Sequence, residues 1–160
     1  MSGAPANSPV NVYVKYTKAT ANTEANIQYF SDSAGTNPWK EADPIPHGTK
    51  TKFTFWKTTS TDGFNFDAAV FYPKDANGGI LSNVVQSFRN TANGTAKFQG
   101  TVFVDQINLE PSQNFVIFWV VNNNNSGADG FVGVHITILT QDSGNYLTSV
   151  DPKVPLPPSG

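Results

Sequence analysis

The chain has 160 residues, 38% of them hydrophobic, which is enough for one domain to bury a core without metal or disulfide staples. Its 10 basic and 12 acidic side chains leave a formal charge of -2, so no basic field gathers phosphates and nucleic acid is not an expected partner. The absence of cysteine excludes a disulfide scaffold, a thiolate zinc site and a cysteine nucleophile.

Residues 1–9 carry neither the basic nor the apolar region of a secretory signal, and no apolar run approaches the roughly 20 residues of a membrane span. The expectation is a flexible N-terminal segment on a cytoplasmic protein without membrane insertion. Val10, Val12, Val14 and Tyr16 then alternate with Asn11, Tyr13, Lys15 and Thr17, which predicts a half-buried strand. A second strand is expected over 26–31. The stretch 32–48 is rich in Gly, Pro and Asp and reads as a long loop, since Pro44 and Pro46 lack ladder donors.

Phe53 and Phe55 share one face of the strand 51–57, and Thr54 and Trp56 the other. The next strand, containing residues 68–72, is expected to stop at Pro73. After the Asn77-Gly78-Gly79 turn, residues 80–88 form the segment where a short helix competes with a strand, and 95–105 reads as a strand. The apolar run 115–121 predicts a buried strand, residues 122–130 a polar loop, and 131–140 a strand with Val132, Val134, Ile136 and Ile138 inward. His135 falls on the opposite face beside Gly133 and Thr137. A last strand over 146–150 precedes a Pro-rich, extended tail, 152–160.

Eight or nine short strands without sustained helical periodicity predict an all-β domain over 10–151, an antiparallel two-sheet β-sandwich of jelly-roll type. The inventory for catalysis is thin. His47 and His135 are the only histidines, no Gly-x-Ser-x-Gly elbow occurs, and Glu24, Glu41 and Glu110 read as loop or strand-edge residues. The expected protein is not an enzyme, and no catalytic residue is assigned.

Two polar clusters could bind. Asp62, Asn65 and Asp67 supply oxygens just before a strand, and Asp129 could add another, so calcium is the candidate cofactor. Asn122, Asn124, Asn125 and Asp129 offer amide donors, amide acceptors and a carboxylate that match vicinal hydroxyls. Trp39, in a loop, is the candidate aromatic wall for a sugar, whereas Trp56 and Trp119 lie in strand patterns and are expected in the core. The clusters form one site only if they meet at one end of the sandwich.

Several motifs resemble the PixA/AidA-type inclusion body proteins of bacteria: Val10-Asn11-Val12-Tyr13-Val14, Phe64-Asn65-Phe66-Asp67-Ala68-Ala69-Val70, Val132-Gly133-Val134-His135-Ile136-Thr137-Ile138 and Val150-Asp151-Pro152. That resemblance implies an abundant, self-associating cytosolic β-sandwich. The loop 122–129 followed by Phe131 is similar to the site of small soluble calcium-dependent bacterial lectins. The leading expectation is a lectin-like protein that binds a glycan and gains avidity as a homo-oligomer. The rival is a self-assembling structural or storage protein.

Overall fold

The computed structural model describes residues 4–75, 77, 79, 85–89, 96–97, 105–108, 115–149 and 152–159. They form eleven strands and no helix: β1 (Val10–Thr17), β2 (Asn26–Phe30), β3 (Lys50–Lys57), β4 (Phe64–Asp75), β5 (Val85–Arg89), β6 (Ala96–Lys97), β7 (Asp105–Asn108), β8 (Phe115–Val121), β9 (Gly130–Thr140), β10 (Tyr146–Thr148) and β11 (Lys153–Leu156). One sheet has the order β2-β1-β3-β8-β5-β6. The other runs β10-β9-β4-β7, with β11 also paired to β9.

The sheets stack as a sandwich because each presents one apolar face. Val12, Val14 and Tyr16 of β1, Phe53 and Phe55 of β3, and Val116, Phe118 and Val120 of β8 meet Phe64, Phe66 and Phe71 of β4 and Val132, Val134, Ile136 and Ile138 of β9. Phe118 joins the layers, with ring centroids 5.4 Å from Phe53 and 5.1 Å from Phe71. The two-sheet sandwich is therefore observed, while the described pairings do not establish a jelly-roll order.

Antiparallel pairing has one exception. β1 and β3 run parallel, with Tyr13 opposite Trp56. The long connection through β2 and residues 31–49 supplies the crossover length that a parallel pair needs.

Other expectations change with the structure. The supposed C-terminal tail is strand β11, whose Val154 and Leu156 are buried while Pro155 accepts a main-chain bond from Ile45. Residues 4–7 are not loose either: Ala6 bridges Lys50, the Asn7 amide nitrogen donates to Thr49 and Thr51 hydroxyls, and Ala4 is buried. β4 continues through Pro73 to Asp75, since β7 pairs with it only as far as Phe71 and the missing donor leaves no described ladder broken on that side. Of the 80–88 segment, 85–88 belong to β5 and 80–84 lie outside the described residues, as do 95 and 98–104 of the expected 95–105 strand and Glu110.

The segment 38–48 crosses from one sheet to the other. It starts beside β2, where the Trp39 amide donates to Tyr29, passes β11 through Ala42 and Ile45, and returns to the first sheet through Gly48 and Asn122. The expected long loop thus acts as a lateral clasp.

Candidate functional site

The loop after β8 is built by its own asparagines. Asn122 Oδ1 accepts the Asn124 amide, and Asn124 Oδ1 accepts the Ser126 amide at the same distance, 3.0 Å, giving successive Asx turns. Gly127 completes the reversal at a φ of 78°. Both buried amide groups also reach across the fold. Asn122 Nδ2 donates to Ile45 and Pro157 carbonyls, each at 2.7 Å, and Asn124 Nδ2 donates to Ala128 and Leu156. Both residues are 0% exposed, so these side chains hold the clasp and β11 and do not face solvent.

Of the four expected sugar contacts, Asn125 and Asp129 are exposed. Asn125 Oδ1 lies 3.0 Å from His47 Nε2, which ties the loop to the clasp. The structure therefore divides the four expected sugar contacts into two internal struts and two surface groups.

The other expected members do not converge there. β4 is antiparallel to β9, with Phe64 opposite Thr140 and Asp75 opposite Gly130. Asp62, just before Phe64, and Asp129, just before Gly130, consequently stand at opposite ends of the sheet, about 33 Å apart at ~3.3 Å per residue. Asp62 Oδ2 already accepts the Lys18 amide at 2.9 Å. Asn65 is paired across from Leu139, while Asp67 is the extra residue of a bulge between Phe66 and Ala68. Among the described residues no group of three or more His, Cys, Asp or Glu side chains could hold a metal ion. Asp62, Asn65, Asp67 and Asp129 thus do not fit a shared calcium site, which needs six to eight convergent oxygens.

Trp39, the expected aromatic wall, is partly buried. It packs against the core, edge-on to Tyr29 and Phe55 at centroid distances of 6.3 Å each. Phe55 lies five residues along β3 from Lys50 and hence about 17 Å from the loop end. Trp56 and Trp119, expected inside, occupy the outer face of the six-stranded sheet instead.

That face carries an aromatic row. Tyr13 of β1, Trp56 of β3 and Phe115 of β8 are paired neighbours on adjacent strands, and all three are partly exposed. Their rung spans about 10 Å at the ~4.8 Å strand spacing. Trp56 Nε1 donates to Asn11 Oδ1 at 3.0 Å, and its ring lies 5.4 Å from that of Phe115. Two rungs along, Lys52 faces Trp119, over whose ring Lys50 Nζ sits at 5.0 Å. Lys15 is on the same side of β1 as Tyr13. Strand alternation separates Phe53 and Phe55 from Trp56 already in the sequence, but nothing in the pattern says which side the second sheet covers.

Among the described residues three titratable groups are displaced, each for a local reason. Burial, followed by the hydrogen bond to Asp142, raises the Tyr16 phenol, which donates to Asp142 Oδ1 at 2.7 Å. Burial lowers the Lys57 ammonium, which donates to the Phe64 carbonyl. Hydrogen bonds from the Thr36 hydroxyl and the Asn37 amide lower the Asp32 carboxyl.

No family model and no curated protein matches the chain.

Proposed function

We propose that this protein is a non-enzymatic, lectin-like carbohydrate-binding β-sandwich that holds a glycan across the outer face of its six-stranded sheet. The observation carrying the reading is the partly exposed Tyr13, Trp56 and Phe115 row on three adjacent strands. Aromatic rings present flat apolar faces to sugar C–H groups, while Asn11 and Lys52 supply polar contacts at the margin. The face continues about 13 Å along the strands to Trp119. Calcium is not required in this reading. A homo-oligomer would raise the avidity of such a shallow surface.

The charge on the face separates this reading from self-assembly through the same surface. Lys15, Lys50 and Lys52 would meet their own copies in a two-fold, face-to-face pair. Like charges brought together in this way oppose association. A second reading, self-assembly, is favoured instead at another place: Tyr146 on the three-residue strand β10 is 64% exposed. Light scattering would then report concentration-dependent particles, diminished by Tyr146→Asp and indifferent to sugar.

The carbohydrate reading is tested with a glycan array and affinity electrophoresis in polysaccharide gels, each with calcium and with chelator. Retention that Trp56→Ala weakens by about tenfold or more, the loss of roughly 1.4 kcal/mol of contact, supports it. Absence of retention on every glycan, or retention unchanged in Trp56→Ala and Trp119→Ala, overturns it.

A further inference from the structure

A separate opening lies on the side of the sandwich, between the N-terminal segment and the clasp. It is a cavity of about 520 Å³ lined by Ala6, Asn7, Ser8, Val10, Asp43, Pro44, Pro46, Thr51 and Phe53. Val10 and Phe53 belong to the inward faces of β1 and β3, so this opening is on the other side of the sheet from the aromatic row. Its volume falls in the range of small-molecule sites.

The polar lining is rich in acceptors. Asn7 Nδ2 is committed to the Thr49 and Thr51 hydroxyls, at 2.8 and 3.1 Å. Pro44 and Pro46 have no amide proton to offer. Among the described residues of the wall Asp43 is the only charged one; it is exposed and has no hydrogen bond or ion pair with another described residue. Lys50 Nζ lies over Trp119 and Lys153 Nζ over Phe131. Val10 and the two prolines give the remainder of the cavity an apolar character above the buried Phe53.

We infer that this cavity binds a small organic ammonium, its charged nitrogen at the Asp43 carboxylate and its apolar body against Val10, Pro44 and Pro46. A carboxylate facing an ammonium makes a charge-assisted hydrogen bond, whereas a neutral hydroxyl in the same place makes a weaker one. The site is independent of the glycan face, so either can fail without the other.

Isothermal titration calorimetry of the full chain tests it with 2-phenylethylamine as probe and 2-phenylethanol as its neutral counterpart. The amine is expected to bind about three- to fivefold more tightly than the alcohol, the difference of up to about 1 kcal/mol that an exposed ion pair supplies. Asp43→Asn should remove that preference while leaving the thermal unfolding midpoint of the free protein close to wild type, because Asp43 is exposed and makes no internal bond. Trp56→Ala should leave amine binding intact. Equal affinity for amine and alcohol, unchanged amine affinity in Asp43→Asn, or no binding of the amine would each overturn the inference.

Discussion

At the scale of single residues, Asn122 and Asn124 show why an amide is needed where a carboxylate would look similar. Each uses two N–H donors on two main-chain carbonyls and its oxygen on a following amide. No other short side chain combines those capacities. Asn122→Asp would keep the shape but turn carboxylate oxygens toward the Ile45 and Pro157 carbonyls in a fully buried position. The expected loss is about 3 kcal/mol, from orphaned buried acceptors and an uncompensated charge. Asn125→Asp, on the exposed side of the same loop, should change stability by no more than about 0.5 kcal/mol. Urea denaturation of the two variants checks the contrast, and equal losses would contradict the internal-strut role. The polar run 122–125 was readable in the sequence as a loop. Its division into inward and outward amides was not, because hydrogen-bond partners 35 and 77 residues away leave no local pattern.

At the scale of elements, alternation made the core strands legible. Val12 and Val14, and Val132 through Ile138 at every second position, are buried as their spacing requires. β11 was hidden because its Val154 and Leu156 alternate only twice among prolines, whose usual meaning is the end of a ladder. The turn after β2 depends on another local device. The Asp32 carboxylate accepts the Thr36 hydroxyl at 2.6 Å and the Asn37 amide at 2.7 Å, while Gly35 supplies a φ of 73°. These bonds favour the ionised form, so the folded-state pKa lies below 3.8. The stabilisation is therefore present above that unfolded value and lost as pH falls through the lower folded one. In NMR titrations the amide shifts of Thr36 and Asn37 should move together with a midpoint below 3.8. A midpoint at or above that value, or movement that persists in Asp32→Ala, would remove Asp32 as the cause.

At the scale of the whole molecule, the clasp and β11 make the two sheets one mechanical unit. Trp39 packs beside Tyr29 and Phe55 of the first sheet, and a few residues later the chain bonds to β11 of the second. Tyr29 and Ser149 add a hydroxyl link across the same side. Trp39, in a stretch that reads as a loop in the sequence, takes part in this closure. Leu156, 0% exposed at the end of β11, is packed in the core, and its carbonyl receives Asn124 Nδ2. Leu156→Ala removes buried methyl groups and leaves a cavity, so it should cost about 2–5 kcal/mol. Because β11 joins the clasp to β9, that loss should be shared by both sheets, not confined to a frayed end. Far-UV circular dichroism and tryptophan fluorescence should then lose their native signals at one common, lowered urea midpoint. If the fluorescence of Trp39 changed well before the strand signal, the clasp would be opening separately, and the single-unit account would fail.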